Sequence, residues 1–186
     1  MADVSDRRNA MVDHQIVARG VRDARVLDAM REVPRERFVP GTLAEFAYED
    51  TPLPIEAGQT ISQPYIVALM LEAAKIQPED RILEIGVGLV AAGGPSVPDP
   101  LRRQLAPGGR LVIPIGDADE QRLMRVTRIG KDGFVEDDLG TVRFVPLIGE
   151  HGWRNSERRP DDETPAAIER RGFRRDDDSV KNGSWP

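Results

Sequence analysis

The 186-residue chain contains no cysteine. That excludes disulfides, thiolate metal sites and cysteine nucleophiles together. It has two histidines, His14 and His151, far apart in sequence, so a histidine-rich zinc site is not expected. Positive charge is in deficit: 26 Lys and Arg face 32 Asp and Glu, a formal net charge of −6. No overall basic field would draw the chain to nucleic acid or to an anionic membrane. Long apolar runs are missing, and none approaches the length of a membrane span. The first ten residues, MADVSDRRNA, lack the apolar stretch of a secretory signal, so a cytoplasmic protein is the expectation. Aromatic residues are scarce at 5%, yet 39% of the chain is hydrophobic, enough for a packed core.

Charge is unevenly distributed. Residues 151–186 hold 8 Lys/Arg and 8 Asp/Glu with few large apolar residues between them. Such a stretch cannot bury enough surface to fold, so residues 154–186 read as a disordered tail. A short helix at Pro165–Arg171 is the one element expected there. No internal repeat is visible.

Ahead of the tail the pattern is helices, then strands. Met11, Val12, Ile16 and Val17 fall near one helical face, and Gly20 ends that run. Asp23 can cap a second helix with Val26, Leu27, Met30 and Val33 as its apolar face and Pro34 as its stop. Residues 34–62 carry Pro34, Pro40, Gly41, Pro52, Pro54 and Gly58, which predicts an irregular segment. Pro64 suits the first turn of a third helix, with Ser62 or Gln63 as N-cap and Ile66, Leu69, Met70, Ala73 and Ala74 as a stripe. Arg81–Ile85 reads as a strand running into Gly86-Val-Gly88. Pro98–Ala106 reads as a short helix closed by Pro107-Gly108-Gly109. Strands are expected at Arg110–Ile115, Leu123–Ile129, Phe134–Leu139 and Thr141–Leu147, with turns at Gly130–Gly133 and Gly140. The fold class is α/β.

Two places could carry chemistry. Glycines just past a strand let a ligand approach the backbone, but Gly86-Val-Gly88 lacks the rest of a dinucleotide fingerprint. A nicotinamide-dependent enzyme is therefore disfavoured. The segment Gly58-Gln-Thr-Ile-Ser-Gln-Pro64 ends at a helix start, where free N–H groups and a partial positive charge can hold a carboxylate. Thr60 and Ser62 add hydroxyls beside it. No histidine base lies near, so Ser62 is not read as a nucleophile.

Taken in order, Val33-Pro-Arg-Glu-Arg-Phe38, Ala47-Tyr-Glu-Asp50, Pro52-Leu-Pro-Ile55, Gly58–Pro64, Ile82-Leu-Glu-Ile-Gly86, Leu105–Ile113 and Val142–Leu147 closely resemble the protein-L-isoaspartate O-methyltransferases. The resemblance spans roughly residues 8–153, and Thr60-Ile-Ser-Gln-Pro64 is its most distinctive piece. It implies a reduced Rossmann-like methyltransferase fold with N-terminal helices and a C-terminal antiparallel β-meander, one domain over 1–153. It implies methyl transfer from S-adenosylmethionine to the carboxyl group of L-isoaspartyl residues in damaged proteins. By position it makes Ser62 the active-site serine, Thr60, Ser62 and Gln63 the substrate side, and Gly58, Gln59, Glu84, Gly86 and Gly88 the cofactor side. Val90–Pro95 resembles the family's fourth strand, which reaches the active-site rim.

One departure stands out. The family places two further strands and their helices between the glycine motif and that fourth strand, whereas here Gly88 and Ala91 are three positions apart. The acidic ribose ligand of the second strand has no counterpart. A parallel neighbour needs a crossover of about 10–12 residues, which residues 87–93 cannot supply. Leu89–Ala92 must extend the first strand, fold back on it or form loop. The expected consequence is an exposed strand edge that invites a homo-oligomer. A second reading follows, a catalytically inactive remnant serving as a peptide-binding or oligomeric module.

Overall fold

A computed structural model describes residues 3–56, 59–83, 91–117, 119–148, 150 and 152–153. The expected tail at 154–186, its short helix, and the strand end and glycines at 84–90 lie outside the described residues.

The N-terminal run is one continuous helical path in three geometries. It starts as α1 (Val4–Met11), widens into a π-turn at Val12–Ile16 and tightens into a 3₁₀ turn at Val17–Arg19. Gly20 ends it with φ 101°, a conformation that costs a glycine little. Met11, Val12 and Ile16 are buried along this path. Asp23 caps α2 (Ala24–Glu32), its carboxylate accepting from the Arg25 N–H at 3.0 Å. Val26, Leu27 and Met30 pack inward as expected. Val33 does not; it is 49% exposed. The cause is Pro34, which forces the residue before it into extended backbone and out of the helical register.

The described residues between 35 and 61 are irregular, as the breakers predict. Two 3₁₀ turns, Arg35–Phe38 and Gly41–Phe46, lead to a minimal hairpin of β1 (Leu53–Pro54) and β2 (Thr60–Ile61). Helix α3 (Pro64–Ala74) follows, then α4 (Asp99–Gln104), shorter than the predicted Pro98–Ala106. The meander is β3 (Arg110–Gly116), β4 (Gln121–Ile129) and β5 (Gly133–Val142), antiparallel in the order β3-β4-β5.

Two strand expectations are corrected. Residues 81–83 form no strand, and Ile82 and Leu83 are 53% and 59% exposed. A buried parallel strand needs partners on its edges, and the short connection to Gly93 supplies none. Gly140 makes no turn. β5 runs through it, and the pairing shifts register between Arg122/Thr141 and Met124/Asp138. Gly140, at φ 118°, sits on the bulged strand at that shift. The chain then continues extended past Val142 and wraps the end of the sheet. Gly93 donates to the Val145 carbonyl at 2.8 Å and accepts from the Leu147 N–H at 2.8 Å, while Gly94 donates to the Pro114 carbonyl and accepts from the Gly116 N–H, both on the free edge of β3. These parallel bridges place 93–94 between β3 and the 145–147 segment. Trp153 locks the wrap, its indole N–H donating to the Gly93 carbonyl at 3.1 Å.

Two cores result. Met11, Val12, Ile16, Val21, Ala47, Tyr48 and Ala68 form the first, and Met70, Ala73, Val112 and Leu123 the second. Among the described residues no helix is long and apolar enough to cross a membrane.

Candidate active site

The hairpin and α3 position the sequence-predicted residues. Leu53 pairs with Ile61 and Pro54 with Thr60. Leu53 and Ile61 are buried, and alternation along the strand puts half-buried Thr60 on the opposite face. The loop closes tightly: Ile55 N–H donates to the Gln59 carbonyl at 2.8 Å and Gln59 N–H to the Glu56 carbonyl at 3.2 Å. Gln59 is exposed, Ser62 and Gln63 half-buried.

Gln63, not Ser62, occupies the N-cap of α3, and neither side chain caps the helix. The Gln63 amide instead donates to the Asp50 carbonyl at 3.1 Å. Pro64 at the first turn has no N–H to satisfy. The first-turn amides of Tyr65 and Ile66 therefore meet no capping side chain of the described residues, with the Ser62 hydroxyl directly ahead of them. Such an end favours an anion.

Sequence reasoning missed the residues that hold this end in place. Arg19 Nη1 pairs with Asp50 Oδ2 at 2.6 Å, and its guanidinium lies 3.5 Å from the centroid of the Tyr65 ring. Behind them Arg35 is buried, 7% exposed, donating from Nε to the Ala47 carbonyl at 2.8 Å. Burial without a carboxylate partner lowers its pKa to about 10. Tyr48 donates to Glu36 and accepts from Arg8 Nε at 2.8 Å. Burial first, then the bond to Glu36, pushes the Tyr48 hydroxyl up; Glu36 stays below its ordinary value against its own burial, held by Tyr48 and Arg8. Nothing local in the sequence pairs Arg19 with a residue 31 positions away.

Thr60 thus lies in β2, and Ser62 and Gln63 lead from it directly into α3. Of the expected cofactor side only Gln59 is described; Gly58, Glu84, Gly86 and Gly88 lie outside the described residues. Ile82 and Leu83, which lead to those glycines, face solvent instead of closing a pocket wall. The described residues therefore include the residues expected on the acceptor side and, of those expected on the donor side, Gln59 alone.

A sequence profile described as Protein-L-isoaspartate(D-aspartate) O-methyltransferase matches residues 6–89 and again 89–152. The protein-L-isoaspartate O-methyltransferase of Rhodopseudomonas palustris is 42% identical over 208 residues, covering 79% of this chain and 95% of the relative. That of Roseiflexus sp. is 41% identical over 219 residues, covering 86% of this chain and 99% of the relative. Because 79% of 186 residues is about 147, about 60 of the 208 aligned positions have no counterpart here, several times the length of one crossover. The profile breaks at residue 89, where the sequence jumps from the glycine motif to the fourth-strand segment. A solved protein-L-isoaspartate O-methyltransferase superposes with a TM-score of 0.63 at 21% identity, covering 80% of this chain and 67% of its own. A putative one from Plasmodium falciparum, crystallised with S-adenosyl-L-homocysteine, gives 0.54 at 21%, covering 74% of this chain and 96% of its own. These two share the α/β, Rossmann-like fold. With both halves matched in order and relatives above 40% identity, the chain belongs to the protein-L-isoaspartate O-methyltransferase family.

Proposed function

We propose that this chain methylates the carboxyl group of L-isoaspartyl residues in damaged proteins, a protein-repair reaction. The observation that carries it is the start of α3, where Thr60 and Ser62 precede first-turn amides that no side chain of the described residues caps. S-adenosylmethionine, when bound, supplies a methyl carbon on a sulfonium. The acceptor carboxylate is already ionised at neutral pH, so no general base is required. The new bond joins methyl carbon to carboxylate oxygen as the sulfur–methyl bond breaks, and no proton changes place. The chain's task is alignment and exclusion of water. Ser62 and Thr60 donate to the acceptor carboxylate, Ser62 as the catalytic residue, and Gln63 shapes the substrate side. Gln59 and, by position in the family, Gly58, Glu84, Gly86 and Gly88 form the donor side. Residues 1–153 act as one domain, shortened after Gly88; the profile matches on both sides of residue 89 support this. The substrate is a protein or peptide, and the absence of an overall basic field speaks against nucleic acid. The reaction suits the cytoplasm.

The exposure of Ile82 and Leu83 favours a second reading. The chain is then a catalytically inactive remnant that keeps the acceptor loop and binds peptides, or assembles with copies of itself through the apolar surface left open there. Calorimetric titration with S-adenosylmethionine, with oligomeric state recorded in the same buffer, separates the two. Saturable one-site binding, with methyl incorporated into an isoaspartyl peptide and not into its aspartyl twin, supports the enzyme. No binding at millimolar ligand leaves the remnant.

A further inference from the structure

We propose that Arg19 is a positioning residue for the acceptor end of α3. The proposal rests on the reading of Thr60 and Ser62 given above. Three elements separate in sequence meet at this arginine. Its own 3₁₀ turn, Val17–Arg19, is fixed by Gly20. Its guanidinium pairs with the Asp50 carboxylate at 2.6 Å and lies 3.5 Å from the centroid of the Tyr65 ring, in the first turn of α3. The Asp50 backbone carbonyl in turn takes the Gln63 amide at 3.1 Å. Gln63 adjoins Ser62, so the clamp grips the helix start on both sides of Pro64.

Two details make this more than a surface ion pair. Asp50 Oδ1 is buried and has no hydrogen-bond partner among the described residues. Among the described residues the carboxylate's compensation therefore comes from Arg19, whose own side chain stays 43% exposed. The flat guanidinium also serves two purposes at once, an in-plane bond to Asp50 and stacking on Tyr65, which a lysine ammonium cannot combine. Arg19 is not placed on the substrate. It acts through Asp50, Gln63 and Tyr65 by keeping the Ser62 hydroxyl and the first-turn amides in one register, as a preorganised anion site requires.

The test uses the full chain as wild type, Arg19→Met, Arg19→Lys and Tyr65→Leu, with two readouts. Amide hydrogen exchange is followed over residues 60–67, with α1 and β4 as internal references. Methylation of an isoaspartyl peptide is followed at saturating S-adenosylmethionine. In Arg19→Met, exchange over 60–67 rises about tenfold while the references hold. The peptide KM rises about tenfold with kcat changed less than about threefold. Tyr65→Leu moves both readouts the same way, and Arg19→Lys falls between Arg19→Met and wild type. If wild type itself transfers no methyl group, the functional reading fails and the exchange readout alone decides the clamp. Unchanged exchange over 60–67 in both Arg19→Met and Tyr65→Leu, or a rise shared equally by α1 and β4, overturns the proposal.

Discussion

The two ends of α3 belong to different cores, and the cores differ in how complete they are. Ala68, near its start, packs with Met11, Val12, Ile16 and Tyr48, residues of the N-terminal helices and the 47–50 loop. Met70 and Ala73, near its end, pack on Val112 and Leu123 of the sheet. The first core comes from an unbroken stretch of chain and is tied by buried polar contacts from Arg8, Arg35 and Tyr48. The second spans the break in the family match, and the segment that leads away from α3 to that break leaves Ile82 and Leu83 in solvent. A deletion that removes whole crossover units can leave the core on one side of a shared helix intact while it strips the partners from the other.

The largest expected effects come from cutting each core at its centre. Ile16→Ala and Leu123→Ala both delete fully buried side chains, and each should cost about 2–5 kcal/mol. If α3 makes the two cores one cooperative unit, urea unfolding of either variant stays a single transition, with helical circular dichroism and Trp153 fluorescence moving together. Trp153 is read in a Trp185→Phe background, since the chain has two tryptophans. A Leu123→Ala variant that loses the fluorescence transition early and keeps the helical one would separate the cores.

Next is the wrap that closes the sheet. Gln121 is 3% exposed, and its side chain imitates a strand neighbour: Nε2 donates to the Phe144 carbonyl at 3.1 Å and Oε1 accepts from the Phe144 N–H at 2.8 Å. It also fills the space that a Cβ on Gly93 would need. Gln121→Leu keeps bulk and leaves both Phe144 groups without these partners, at a cost of about 2 kcal/mol. In the same Trp185→Phe background, emission from Trp153 should shift to longer wavelength as the Gly93 contact loosens. An unshifted spectrum would mean that the wrap holds without Gln121.

How much of this was readable from residues follows the range of each cause. Gly20, Asp23, Pro34 and Pro64 act on their immediate neighbours, and the helix boundaries they set are those observed. The turn at Gly130–Gly133 placed β4 and β5 for the same reason, whereas the separate strand expected at Thr141–Leu147 is not formed: β5 itself runs to Val142. Gly140 was misread because a glycine with positive φ serves a turn and a bulge equally well, and only the partner strand decides between them. Arg81–Ile85 has the composition of a strand, but pairing is a property of neighbours, and this chain lacks the segments that supplied them. At the candidate site the stretch from Thr60 to Pro64 announces itself through its proline. The Arg19, Asp50 and Tyr65 cluster does not, because it joins three elements by folding alone.

A smaller effect is expected where α3 meets α2 away from both core centres. Glu72 Oε1 accepts from the backbone N–H groups of Arg22 and Asp23, at 2.5 and 2.7 Å. That bond anchors the chain just ahead of α2. Glu72→Gln keeps an acceptor and loses its charge, for about 1 kcal/mol; Glu72→Ala loses both, for about 1–2 kcal/mol. Thermal unfolding of the two variants in parallel reads the order. Equal losses would assign the whole effect to the charge.

The mildest change tests the polar side of the complete core through pH. The Glu36 carboxylate sits below its ordinary value of 4.5 although burial opposes this, because the Tyr48 hydroxyl donates to it and Arg8 and Arg37 stand near. A depressed carboxylate binds fewer protons folded than unfolded just below its ordinary value. Its stabilisation is therefore complete above about pH 4.5 and is lost as pH falls through the lower folded value. Tyr48→Phe removes the donor, and Glu36 moves back up. At pH 7 the variant should be less stable by about 1 kcal/mol. Other carboxylates titrate in the same range, so the informative quantity is the difference between the two proteins' urea stabilities measured from pH 7 to pH 3. That difference should shrink on the acid side, since wild type gives up an advantage the variant never had. A difference that stays flat across the range would show that the hydroxyl supports Tyr48 packing alone and does not hold the charge of Glu36.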